Sequence, residues 1–150
     1  MIVFEELFLE SRGKPVKYNG KTIQMVDLVP LHARQKLRLT FETIGSDWKQ
    51  GVMLRCRGVF CFHEQRIKNS VLLWQHAAPQ TLEFEIDLQE SNEGELEVRN
   101  VWDTGDGTVH SWHAGGAMWF ERMAAGKRYY CNDGHLDDDF VDLVFTLELM

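Results

Sequence analysis

The acidic segment near the C-terminus is the first part of this sequence whose residue types suggest chemistry. Residues 131–145 read CNDGHLDDDFVDLVF and contain aspartates at positions 133, 137, 138, 139 and 142. Carboxylates this close repel one another unless water, protons or a cation separates their charges. Calcium and other hard cations take six to eight oxygen ligands, commonly from aspartates and nearby carbonyl groups. We therefore predict a metal site, with calcium as the cofactor, formed by Asp133, Asp137, Asp139 and Asp142. The alternative is a solvated acidic turn before the last strand.

The end of this segment resembles a known family motif. Residues 138–145, DDFVDLVF, resemble the D-F-N-D-L-V-F motif of bacterial β-sandwich domains of the DUF4114 type. In that family the aspartates precede a core strand and are associated with calcium, and the domains are typically exported. The resemblance implies that Asp139 and Asp142 correspond to the two family aspartates that flank the phenylalanine. Val141 stands where the family has asparagine.

A second segment, residues 100–116, combines aromatic and polar side chains in the order NVWDTGDGTVHSWHAGG. An indole face stacks on a sugar ring, and neighbouring polar groups bond the sugar hydroxyls. This mixture predicts a ligand-binding site for a glycan or another small molecule. Its residues are Trp102, Asp103, Asp106, His110, Trp112 and His113. The alternative is that both tryptophans pack in the core.

The two histidines of this segment also raise the question of zinc or another transition metal. Positions i and i+3 of a strand point to opposite faces, so His110 and His113 converge only if a turn lies between them. His135 or Cys131 are the candidates for a third ligand, although no spacing requires either.

Motifs of the common enzyme classes are missing from the sequence. It contains no G-x-S-x-G, no phosphate-binding loop, no H-E-x-x-H and no dinucleotide fingerprint. We therefore assign no catalytic residue and expect a non-catalytic binding module. Two alternatives stay open. One is a small acidic interaction protein of the immunity or adaptor type with a basic protein partner, and the other is a cupin-like metal-dependent enzyme.

The charge and the cysteines restrict the partners and the compartment. The formal net charge of −7 argues against affinity for nucleic acid and for anionic membranes. Near the N-terminus Glu5, Glu6 and Glu10 interrupt the apolar residues, which is unlike a secretory signal. The three cysteines are an odd number, so at least one thiol is free. These features together predict a cytoplasmic protein.

The elements that must position both segments are mostly strands. Residues 81–88 and 36–43 alternate apolar and charged side chains, as does the apolar series at 143, 145, 147 and 149. Asn19-Gly20 predicts a hairpin turn. Residues 3–9 fit one short helix or an edge strand. About ten short antiparallel strands in one domain over residues 1–150 favour an all-β fold, a β-sandwich of jelly-roll type, with a closed barrel as the alternative.

Overall fold

The computed structural model describes residues 3–150, and it confirms the predicted all-β, sandwich-like fold, with 59% of residues in strands and 5% in helix. The elements, in chain order, are α1 (Phe4–Glu10), β1 (Val16–Tyr18), β2 (Lys21–Ile23), β3 (Asp27–His32), β4 (Arg34–Ile44), β5 (Lys49–Phe62), β6 (Gln65–Trp74), β7 (Thr81–Asp87), β8 (Glu93–Asp103), β9 (Ala117–Arg122), β10 (Gly126–Asn132) and β11 (Leu143–Leu149). Among these residues no helix is long and apolar enough to cross a membrane.

All strand pairs in the structure are antiparallel, and nine strands form one curled sheet. The strand order is β3-β8-β5-β7-β4-β11-β10-β9, with β6 paired to β5. Strand β5 divides this sheet into two layers, because residues 49–55 pair with β8 whereas residues 59–61 pair with β7. The register of β5 against β6 shifts between these two halves, between Arg55 and Val59. This irregularity lets one strand belong to both layers.

The main core lies between the two layers, and all nine strands of the large sheet contribute to it. The alternation predicted for β4, β7 and β11 places Leu37, Phe84 and Phe145 in this core, each at most 5% exposed. A buried side chain of this size stabilises the fold by about 1.5–3 kcal/mol.

A second apolar cluster covers the opposite face of β9. Alternation along β9 sends Met118 to the main core and Ala117 to this outer cluster. Helix α1 supplies Phe4 and Phe8, so the N-terminal segment that was open between helix and strand is a helix. The outer cluster comprises Phe4, Phe8, Ile23, Ala117 and Phe140.

The hairpin at Asn19-Gly20 is confirmed, whereas β3 was missed. Asn19 and Gly20 both have positive φ, as a two-residue hairpin turn requires. Strand β3 contains Pro30, which normally signals a break. Because β3 pairs only with β8 and forms an edge of the sheet, the missing N–H of Pro30 is tolerated there.

Candidate functional site

The acidic loop connects β10 to β11, and hydrogen bonds close it at its base. The side chain of Asn132 accepts from the amide of Phe140 at 2.8 Å and donates to the carbonyl of Asp137. The amide of Asp142 donates to the carbonyl of Cys131 at 3.1 Å. Phe140 has a positive φ of 55° and is buried in the outer cluster beside Phe4. The loop is thus held at both ends and anchored in its middle.

Three of the four predicted metal ligands converge in this loop. Asp137, Asp139 and Asp142 each offer a carboxylate oxygen, and these oxygens lie within 4.8 Å of one another. Asp142 is only 3% exposed, and its Oδ2 accepts from the amide of Asp133 at 3.0 Å. Asp137 Oδ1 is a buried atom with no hydrogen-bond partner among the described residues. The loop therefore concentrates negative charge, and no Lys or Arg among the described residues pairs with these three aspartates.

The convergence changes the acidity of its members. Burial, together with repulsion from Asp133, Asp137 and Asp139, raises the pKa of Asp142 to about 7. Burial and the charge of Asp139 also raise the pKa of Asp137. Both shifts mean that the ionised carboxylates are disfavoured at this place, and a bound cation would reverse that preference.

Asp133, the fourth predicted ligand, is not part of this cluster. Its fully buried carboxylate accepts from Ser46 Oγ at 2.6 Å, from Gln50 Nε2 at 2.9 Å and from the amide and ring Nδ1 of His135 at 3.0 and 2.8 Å. Burial acts to raise its pKa, but the hydrogen bonds from Ser46 and His135, together with the charge of His135, outweigh burial and lower it. The His135 ring stacks on Trp48, with centroids 3.8 Å apart. Asp133 therefore organises the start of the loop.

Sequence reasoning missed Ser46, Trp48 and Gln50. They come from the end of the β4–β5 connection and the start of β5, more than eighty positions before Asp133 in the chain. No sequence pattern connects a serine, a tryptophan and a glutamine at these positions to a distant aspartate. Only the packing of β5 against the acidic loop brings them together.

In the loop of residues 103–109, the two aspartates predicted to bind ligand accept hydrogen bonds from backbone amides of the same loop. Asp103 Oδ1 accepts from the amides of Gly105 and Gly107 at 2.8 and 3.1 Å, and Asp106 Oδ1 accepts from the amide of Thr108 at 3.0 Å. The hydrogen bond from Gly105 is the main reason that the pKa of Asp103 is lowered. These are Asx turns, in which the carboxylate shapes the loop.

Trp102 is a packing residue, which corrects the expectation of an exposed stacking face for its ring, whereas the ligand contact of Trp112 stays a prediction. Trp102 is 1% exposed, and its indole lies against Gly116 and Gly134, where an added Cβ would come within 2.5 and 3.2 Å of it. Trp112 is partly buried and packs on the outer cluster. An indole is large and apolar, so the gain from burial decides its position.

The structure brings the two histidines of this segment together. His110 Nδ1 and His113 Nε2 are 3.1 Å apart, and both rings lie near Trp102, with centroid distances of 6.4 and 5.4 Å. Neither suggested third ligand joins them: Cys131 is buried in the main core, and His135 bonds Asp133.

Comparison of the chain with protein-family models, with curated proteins and with solved structures found no match. The arguments for function therefore rest on the geometry described above.

Proposed function

We propose that this protein is a non-catalytic binding module whose β-sandwich is stabilised by a hard divalent cation, calcium by preference. The observation that carries the proposal is the convergence of Asp137, Asp139 and Asp142 on one point, with three carboxylate oxygens within 4.8 Å. The unpartnered Asp137 Oδ1 and the burial of Asp142 support the same proposal. The short resemblance of residues 138–145 to the calcium-associated family motif also involves Asp139 and Asp142.

Calcium suits this loop better than magnesium for a geometric reason. Calcium accepts six to eight oxygen ligands in variable arrangements, whereas magnesium demands a near-ideal octahedron. Three carboxylates on a single loop supply only part of either shell. Backbone carbonyls and water would complete the shell around calcium. The ion would join the loop to the start of β11, and we assign it a stabilising role.

The ligand of the module is the second part of the proposal. We propose a glycan or another small polar molecule, contacted by His110, His113 and Asp106. Trp102 is not included, because its ring faces are covered. A basic protein partner is the alternative, which the net charge of −7 favours.

Thermal unfolding after exhaustive chelation, with calcium, magnesium, manganese or zinc then added back separately, tests the cation site. We expect calcium to raise the unfolding midpoint by several degrees and magnesium to raise it less. Asp139→Asn should remove the calcium response. Asp138→Asn is the matched control from the same loop, because Asp138 is outside the converging set and accepts from the hydroxyl of Tyr18 at 2.9 Å.

Two results would count against the proposal. An unchanged midpoint with every cation would make the aspartates a solvated turn, and capture of a stoichiometric, salt-sensitive basic protein would then become the next experiment. The second result would be a calcium response of the parent's size in Asp138→Asn, Asp139→Asn and Asp142→Asn alike. It would place the cation elsewhere.

A further inference from the structure

Two imidazole nitrogens face each other across the loop that follows β8. His110 Nδ1 and His113 Nε2 are separated by 3.1 Å. Both residues are partly exposed, and the His110 side chain is 23% exposed. This pair is separate from the acidic loop, because no carboxylate of the 137–142 cluster takes part in it.

The loop conformation explains how residues three positions apart converge. Reciprocal backbone hydrogen bonds of 3.0 and 2.9 Å pair Trp102 with His110 and close the loop of residues 103–109. Trp112, which packs on the outer cluster, has a φ of 48°, and Ala114 has a φ of 53°. A positive φ is costly for a large side chain. Of these two residues, Trp112 lies between the histidines, and its left-handed conformation accompanies the approach of His113 to His110.

The separation of the two nitrogens fits two ligands of one metal ion. Metal–nitrogen bonds of 2.0–2.1 Å imply ligands about 3.4 Å apart at a tetrahedral centre and about 2.9 Å apart at neighbouring square-planar positions. The observed 3.1 Å lies between these values. Chelation at a tetrahedral ion would require each ring to turn by roughly 35° from the direct nitrogen–nitrogen line.

The second nitrogen of His110 supplies an independent observation. His110 Nε2 is a buried atom without a hydrogen-bond partner among the described residues, and the nearest carboxylate oxygen, Asp106 Oδ1, is 3.8 Å away. A histidine that binds metal through one nitrogen commonly donates its other N–H to a carboxylate, which fixes the tautomer. Binding at Nδ1 places the proton on Nε2, on the side of Asp106.

From this arrangement we infer that His110 Nδ1 and His113 Nε2 form a two-histidine site for a divalent transition metal. Imidazole nitrogens suit copper, nickel and zinc, and Cu²⁺ binds most tightly in this series. Asp106 acts as a positioning residue through His110. Water or an oxygen or nitrogen group of a ligand occupies the remaining coordination positions. The site discriminates against calcium, which prefers oxygen ligands.

Titration of the chelated, tag-free protein with Cu²⁺, Zn²⁺ and Ca²⁺ separately tests this site. We expect one equivalent of Cu²⁺ to bind, to quench the fluorescence of the nearby Trp102 and to give an electron paramagnetic resonance spectrum with two nitrogen ligands. Zn²⁺ should compete with Cu²⁺, whereas Ca²⁺ should not. His110→Gln and His113→Gln should each weaken binding at least tenfold, and Asp106→Asn should weaken it less.

His76→Gln is the control for a histidine beside another tryptophan, Trp74, whose ring centroid is 6.1 Å away. It should leave the affinity unchanged. Parent-like Cu²⁺ affinity in both His110→Gln and His113→Gln, or no bound equivalent in the parent, would overturn the site and leave the two rings as a simple hydrogen-bonded pair.

Two further measurements separate this site from the acidic loop and from misfolding. Asp139→Asn should keep the Cu²⁺ affinity of the parent, while both histidine variants should keep its calcium response. Unfolding midpoints in the presence of chelator show whether a variant is folded. If His110→Gln is unfolded, the spectrum of His113→Gln decides, since a two-nitrogen signal that persists there contradicts the proposal.

Discussion

Two buried carboxylates in this protein have opposite surroundings. Asp27 and Asp142 are 7% and 3% exposed. Asp27 accepts from Lys127 Nζ at 2.8 Å and from the hydroxyl of Tyr129 at 2.6 Å. Asp142 accepts one backbone amide and otherwise faces Asp137 and Asp139. Burial of an ionised group is costly unless it is paired. The chain compensates the first carboxylate with Lys127, whereas the described residues place no Lys or Arg beside the second.

The difference follows from what each carboxylate does in the fold. Asp27 lies at the start of β3, and Lys127 and Tyr129 belong to β10, so their hydrogen bonds fasten one layer of the sheet to the other. Burial, followed by the charge of Asp27, raises the pKa of Tyr129, which keeps the phenol a donor. Asp142 instead lies in the loop that connects β10 to β11, two neighbouring strands of one layer.

Removal of the compensated carboxylate should have the largest effect. Asp27→Ala leaves the largely buried ammonium of Lys127 without its partner. Breaking a fully buried pair typically costs about 3–5 kcal/mol, and we expect a loss toward the lower end of that range because the Lys127 side chain is 14% exposed. The free energy of unfolding from urea denaturation measures the loss. The double variant Asp27→Ala with Lys127→Met should recover part of it. A loss of unfolding free energy as small as that of an exposed substitution would mean that the hydrogen bonds of Asp27 with Lys127 and Tyr129 do not hold the two layers together.

Calcium should have the next largest effect, acting only on the uncompensated carboxylate. At 100 times its dissociation constant, an ion that binds only the folded state adds about 2.7 kcal/mol. Calorimetry with and without chelator gives this shift. Asp27→Asn should retain the calcium response and Asp142→Asn should lose it. Equal responses in the two variants would remove the contrast between the two carboxylates.

In chelator, the substitution Asp142→Asn should stabilise the protein by about 1–2 kcal/mol at pH 8. Asparagine keeps an oxygen that can accept from the Asp133 amide, and it removes a charge that faces two other carboxylates. Unfolding midpoints of parent and variant, both without divalent cations, provide the comparison. A destabilised variant would show that the aspartates do not repel one another strongly.

The smallest expected effect is a pH dependence of the chelated parent. The folded-state pKa of Asp142 is raised to about 7 from about 3.9 in an unfolded chain. The folded state therefore binds the proton more tightly, and stability falls as the pH rises from about 4 to about 7. Most of this loss between pH 4 and 7 should fall between pH 5 and 7. Asp142→Asn should flatten the slope, and a parent slope that rises with pH would contradict the assignment.

Local patterns were enough to predict much of the fold. Alternation along β4, β7 and β11 predicted their buried faces, and Asn19-Gly20 predicted the first hairpin, because both signals act between neighbours in the chain. Strand β3 was missed because the tolerance of Pro30 depends on an edge position, which is a property of the assembled sheet.

The candidate sites divide in the same way. Asp137, Asp139 and Asp142 lie within six positions, so the sequence indicated a dense group of carboxylates. Whether their oxygens converge depends on the loop conformation. The separate role of Asp133 depends on Ser46, in the β4–β5 connection, and on Gln50 of β5. Both are distant in the chain, and no local pattern connects them to Asp133.

By itself, the sequence determined the β-rich composition, the faces of the alternating strands and the concentration of carboxylates in one loop. The tertiary structure alone decided that Trp102 is buried and that His110 meets His113. It also decided that Asp27 pairs with Lys127, while Asp142 has no ion-pair partner among residues 3–150. The physical reason is range: periodicity and turn chemistry act over a few residues, whereas burial and charge compensation depend on which distant segments the folded sheet brings into contact.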